Sequence, residues 1–276
     1  MTTTSNPMIF YDIAMRSPVA ENCCSPNPWK ARYALNLKGV PYSTSWVELP
    51  DITNVRRGLG VPAARKFADG SDYHTLPMLS DPATNQTIGD SFDIAVYLQK
   101  TYPGSGAGDL FPNQKLDYEF GHDLALFAPL SERNESQFAE YARFNTNIDA
   151  AFSAHVLLMA YRLPFPPSTA EASKAEFVRR AGATSWEDFH AVGEQREKLL
   201  VSFHDTLGGI ARLFERDLSG PFLLGKQATY ADCIVGGWLR MMQVTLPEKE
   251  WEDARGWHGG IFARLHDALQ EYAQVK

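Results

Sequence analysis

Residues 23–35, CCSPNPWKARYAL, decide how the first half of this chain folds. Good helix formers run from Trp29 to Lys38 and stop at Gly39, a normal helix end. Ahead of them, Pro26 and Pro28 pre-set the first helical turn, and Ser25 stands where the loop enters the helix. The loop itself, Met15 to Pro28, is rich in Pro, Ser and Asn. Before it, Met8 to Ala14 (MIFYDIA) is short, aromatic and β-branched, hence a strand. The unit is strand, loop, helix, with a serine in the loop.

The pattern continues outward. Tyr42 to Leu49 (YSTSWVEL) alternates like a second strand, and Thr75 to Ser80 (TLPMLS) reads as a third. The proline near the start of that third strand suits an edge or a bend. Gln86 to Ile88 can form a fourth strand. Asp90 to Thr101 (DSFDIAVYLQKT) is a helix capped by Asp90 or Ser91 and stopped at Pro103-Gly104. The order β-α-β, then β-β-α, predicts an α/β thioredoxin-like N-terminal domain over residues 8–102. Residues 103–112, rich in Gly and Pro, read as a linker. Beyond it strand signals vanish, and helical patterns occupy 113–133, 136–162, 186–218, 230–242 and 260–272. A Pro-containing insertion with its own short helix fills 163–184. The second half, 113–276, is therefore expected to be an all-α C-terminal helical domain.

Composition narrows the function. A chain of 276 residues fits one large domain or two ordinary ones, and 44% apolar residues suffice for two cores. With 26 basic against 33 acidic residues the net charge is −7, and nothing concentrates Lys and Arg on one face, which argues against nucleic acid. No stretch approaches the roughly 18 apolar residues of a membrane span. Met1 to Pro7 is polar and lacks a signal peptide's apolar core. The cysteines, Cys23, Cys24 and Cys233, are odd in number, and adjacent Cys23 and Cys24 would strain to bridge. A reducing compartment, the cytoplasm, is the expectation. The seven histidines share no metal-ligand spacing, so no metal is expected. The aromatics of the second half (Phe127, Tyr141, Phe144, Phe152, Tyr161) recur at helical spacing and read mostly as core.

Three short segments carry chemistry. A hydroxyl at Ser25, beside a helix N-terminus that favours negative charge, can donate to a thiolate and hold it ionised. Ser25 can equally be a simple helix cap. Leu76-Pro77-Met78 is compatible with a cis bond that turns the main chain of Leu76 outward, to pair with an extended peptide. An ordinary trans proline at a strand start is the alternative. In Gly89-Asp90-Ser91, Ser91 and the free helix N–H groups suit a carboxylate and Asp90 suits an ammonium, though plain capping would explain both. Lys66, ahead of the third strand, and Trp29 are further candidates for contact with the same ligand.

In order and spacing these segments resemble the glutathione transferase superfamily over nearly the whole chain. Ser25-Pro26, with Lys30 and Arg32 on the helix that follows, matches the family pattern in which a catalytic serine or cysteine opens that helix. Leu76-Pro77 matches the glutathione-pairing cis-proline turn, and Asp90-Ser91 the acidic-Ser pair. Pro221 to Asp232 (PFLLGKQATYAD) resembles the family's Gly-x-x-x-[ST]-x-x-Asp segment, with Thr229 and Asp232 as a capping box. More narrowly, SPNPWKARYALNLKG and TLPMLSDPATNQTIGDSFDIAVYL resemble bacterial β-etherases and etherase-like fungal glutathione transferases. The resemblance implies glutathione as co-substrate, activated by Ser25 and bound by Leu76, Pro77, Asp90 and Ser91. It further implies an aromatic or phenolic second substrate, lignin-related, in the helical domain, a detoxification role and a homodimer. Two rivals stand beside it. One is thiol exchange through Cys24, one residue early for the family position. The other is a non-catalytic binder of aromatics.

Overall fold

In the computed structural model, residues 7–121, 130 and 137–276 are described. The first half begins with β1 (Met8–Ile13), a four-residue helix α1 (Val19–Asn22) and α2 (Pro26–Leu37). Then come β2 (Tyr42–Val47), α3 (Ile52–Gly58), β3 (Arg65–Lys66) and β4 (Asp72–Tyr73). It closes with β5 (Met78–Asp81), β6 (Gln86–Ile88) and α4 (Ser91–Thr101). The sheet runs β2-β1-β5-β6, with β2 parallel to β1 and the other pairs antiparallel. This is the thioredoxin-like arrangement. The β3–β4 hairpin and α3, which the sequence reading passed over, fill the space between β2 and β5 along the chain.

The second half is helical: α5 (Ala139–Ser153), α6 (Ala170–Ala181), α7 (Gly193–Phe214), α8 (Tyr230–Thr245) and α9 (Glu248–Leu269). The helix expected at 136–162 ends at Ser153 and continues as two 3-10 turns. That expected at 186–218 splits into a 3-10 turn at Trp186–Phe189 and α7. The last helix starts twelve residues before the expected Gly260, because α9 passes a kink at 257–260, where Gly259 and Gly260 take φ of 68° and 73°.

The helix expected at 113–133 is corrected over its first part, since residues 113–121 form no helix. Side chains of other elements serve their backbone: Leu116 N–H donates to Glu140 Oε1 (3.1 Å) and Phe120 N–H to Asn147 Oδ1 (2.8 Å). Burial there alternates, with Leu116 and Tyr118 inside and Lys115, Asp117 and Glu119 outside. The sequence KLDYEF shows that period of two plainly. The remainder of that expected helix, with His122 and Phe127, lies outside the described residues apart from Leu130.

One apolar core spans both halves, from Phe10, Tyr33 and Leu98 to Phe152, Trp238 and Leu265. Its centre is the packing of α2 on α8. Close approach there depends on Gly237, where a Cβ would stand 2.5 Å from Pro26 O. The start of α8 is fixed by the expected capping box, Thr229 N–H and Oγ1 both donating to Asp232 Oδ2 at 2.8 and 2.9 Å. Full burial pushes the Asp232 carboxyl up to about 6 despite those bonds. Among the described residues no helix is long and apolar enough to cross a membrane.

Candidate active site

A cleft of about 200 Å³ opens between the two halves. From the first half come Ile13 at the end of β1 and Met15 after it, Ser25-Pro26-Asn27 at the start of α2, and Thr75-Leu76 before β5. From the second half come Asp149, Val156, Trp238 and Met241, and from the insertion Phe165, Phe177 and Arg180. Its wall is mostly apolar.

Ser25 occupies the N-cap position of α2, yet its hydroxyl makes no capping bond and no hydrogen bond to any described residue. The two prolines explain why the position is chemically open. Pro26 and Pro28 carry no N–H, and Trp29 N–H bonds back to Ser25 O at 3.2 Å. Of the backbone donors that normally gather at a helix N-terminus, Ser25 N–H and Asn27 N–H remain on this turn. An anion at this spot therefore has the helix dipole, these two amides and the Ser25 hydroxyl.

The turn is anchored from both sides. Lys30, fully buried, forms an ion pair with Asp149 of α5 and donates to Asn27 Oδ1 (3.0 Å) and Asn145 Oδ1 (2.9 Å). Burial lowers the Lys30 pKa, and Asp149 opposes that shift. Trp238 Nε1 of α8 donates to the same Asp149 oxygen at 2.8 Å. Arg32, on the far side of α2, pairs with buried Asp12 at 2.6 Å. Arg240 of α8 donates to Cys23 O (3.3 Å), Ala20 O (3.3 Å) and Glu21 O (2.6 Å), holding the loop ahead of Ser25.

The Leu76–Pro77 peptide is cis. Neither N–H nor C=O of Leu76 bonds to a described residue, while its side chain is buried. That leaves both main-chain groups for an extended ligand. Next to it, buried Arg56 links Thr75 O (2.6 Å) to Gly89 O (2.6 Å) and to Pro62 O, tying the Leu76 turn to the start of α4. Burial lowers its pKa to about 10. At that start Asp90 caps α4, accepting from Phe92 N–H at 2.8 Å, and Ser91 follows it, buried. Asp90 and Ser91 lie beside the cleft rather than in its wall.

The two remaining sequence candidates fall elsewhere. Lys66 pairs with Asp72 across the β3–β4 hairpin in solvent, and its neighbour Arg65 lines the cleft instead. Trp29 is buried, its indole N–H donating to Cys23 O at 2.7 Å. Strand alternation accounts for the exchange of Lys66 for Arg65, because successive side chains point to opposite faces. Arg56, Arg240 and Asp149 were missed. An arginine that binds main-chain carbonyls leaves no local sequence pattern.

This fold and cleft define a two-domain protein of the glutathione transferase class. The chain matches the N-terminal domain model of glutathione S-transferases over residues 24–101 and the C-terminal domain model over residues 139–272. It is similar, at 30% identity and TM-score 0.78, to a glutathione S-transferase of Ceriporiopsis subvermispora solved in complex with glutathione; 98% of this chain and 99% of that one are covered. The transferase GSTFuA2 of Phanerochaete chrysosporium is 29% identical over 99% of this chain and 100% of its own, with TM-score 0.76. The glutathione S-transferase-like protein ustS of Aspergillus flavus is 33% identical over 121 residues, 42% of each chain. The chain thus spans under half the length of that curated relative. It belongs to the glutathione S-transferase family.

Proposed function

We propose that this protein is a serine-type glutathione transferase that ionises the glutathione thiol at Ser25 and directs it onto an aromatic or phenolic electrophile. The observation that carries this reading is the unbonded Ser25 hydroxyl on the same cleft wall as the unbonded main chain of Leu76. Glutathione laid along Leu76 pairs its cysteinyl main chain there and points its sulfur at Ser25. Its γ-glutamyl end then reaches Asp90 and Ser91, which Arg56 keeps next to the Leu76 turn. The apolar wall from the second half, with Trp238 and Met241, receives the electrophile. The thiolate attacks carbon; the C–S bond forms as an aryl ether's C–O bond breaks, and the phenolate leaves and takes a proton from water. Residues 8–102 serve glutathione and 113–276 the second substrate. The phenolic, etherase-like choice, the detoxification role and the homodimer rest on the sequence resemblance, and the cytoplasmic setting on the unbridged cysteines.

Glutathione binding tests the site directly. The wild-type protein is expected to bind glutathione in calorimetry, and Asp90→Ala with Ser91→Ala to weaken it about tenfold or more, roughly 1.4 kcal/mol. Wild-type affinity in that double variant removes the assignment.

The structure disfavours thiol exchange at Cys24. That thiol is completely buried, and burial raises its pKa far above the usual thiol value; the Cys23 thiol is pushed up to about 11. A protonated, inaccessible sulfur is a poor nucleophile. Cys24→Ser is expected to leave the conjugation rate within about twofold on the transition-state scale. Loss of conjugation in that variant would point to the cysteine. Absence of turnover with any generic electrophile, alongside tight aromatic binding, would favour the carrier reading.

A further inference from the structure

The insertion at 163–184 is more than a surface elaboration, since Leu163, Phe165, Phe177, Arg180 and Ala181 line the cleft. Three charged side chains among the described residues reach that wall: Arg65, Asp149 and Arg180. Asp149 is ion-paired with Lys30 and also accepts from Trp238 Nε1. Arg180 is the charged side chain that the insertion brings to this mostly apolar wall.

Arg180 is 8% exposed and held firmly. Its Nε donates to Glu176 Oε1 at 2.8 Å, its Nη1 donates to His74 O at 2.6 Å, and its guanidinium lies over the Tyr73 ring at 5.3 Å. Nη2 makes no hydrogen bond to any described residue. Glu176 also serves Arg179 through both its oxygens, so one carboxylate faces two guanidiniums. Among the described residues these two guanidiniums share that single carboxylate. A buried guanidinium that lines a cleft and keeps one nitrogen unbonded to any described residue matches a carboxylate.

Resting on the function proposed above, we infer that Arg180 forms a carboxylate subsite that the inserted helix adds to the cleft. The carboxylate has two sources: the glycyl end of glutathione, or an acid group on the second substrate.

Paired ligands separate the sources in the full chain. Glutathione is compared with its glycyl ethyl ester by calorimetry, and 1-naphthoate with 1-naphthamide by the fluorescence of Trp238, which lines the cleft. In wild type at least one acid should bind about tenfold tighter than its neutral partner. Arg180→Met, and Arg180→Gln, which can still donate to His74 O, should abolish that preference and leave the ester and amide unchanged. Loss confined to glutathione assigns the glycyl carboxylate, and loss confined to naphthoate assigns the second substrate. Equal loss for acids and neutral partners, or no acid preference in wild type, overturns the subsite and leaves Arg180 a prop for the His74 loop. Should wild type bind no glutathione at all, the proposed function fails, while the naphthoate pair still decides the role of Arg180.

Discussion

Asp149→Ala is expected to lower the unfolding free energy by about 3–5 kcal/mol, the usual cost of leaving a buried charge without its partner. The Lys30 ammonium would keep only the side-chain oxygens of Asn27 and Asn145. Trp238 Nε1 would lose its acceptor as well, a further penalty of about 1–3 kcal/mol if no water enters. Because burial already lowers the Lys30 pKa and Asp149 opposes that shift, loss of Asp149 is expected to lower it further. Asp149→Asn keeps an oxygen for both donors and should fall between wild type and alanine. Lys30→Met combined with Asp149→Leu removes both charges and should recover much of the loss. Urea midpoints at unchanged slope would report these differences. A loss under about 1 kcal/mol in Asp149→Ala would show that the pair contributes little to joining α2 and α5.

The same pair shows what a sequence does and does not reveal. Local order is written in local pattern: β1, α2, β2, β5, β6 and α4 follow from alternation, proline placement and capping residues within a dozen positions. Leu76-Pro77 and the Thr229–Asp232 box are legible for the same reason. Residues 113–121 carry an alternation of Leu116, Tyr118 and Phe120 too short to stand out beside the long helical patterns that follow. Lys30–Asp149 joins residues 119 apart and Arg240–Glu21 residues 219 apart, and no spacing rule connects such partners. The insertion reads as a Pro-containing segment with its own short helix, and only packing reveals that this helix forms part of the cleft wall. The site's position was therefore open to inference from the sequence, whereas its anchoring and its charge were not.

Ser25→Ala is expected to slow conjugation by one to two orders of magnitude, about 1.4–2.7 kcal/mol, with glutathione affinity nearly unchanged. A free thiol has a pKa of about 8.5, so lowering it by about two units takes roughly 2.7 kcal/mol of preferential thiolate binding. At many helix N-termini several backbone amides would share that load. Here Pro26 and Pro28 remove two of them and Ser25 O engages Trp29 N–H, so the N–H groups of Ser25 and Asn27 and the Ser25 hydroxyl carry it with the dipole. Because the hydroxyl caps nothing, its removal should cost even less stability than the ~1 kcal/mol typical of a lost cap. The fold should therefore survive, and the rate loss can be read as chemistry. Titrating the ultraviolet absorbance of bound glutathione thiolate against pH gives the second measurement. In wild type the apparent pKa should lie below that of free glutathione, and in Ser25→Ala it should rise toward it. The rate deficit should accordingly be largest near neutral pH and shrink as pH climbs past the mutant's value, where both proteins hold a thiolate. A mutant whose rate and titration both follow wild type would assign thiol activation to the backbone N–H groups and the helix dipole, leaving the Ser25 hydroxyl without a role in it.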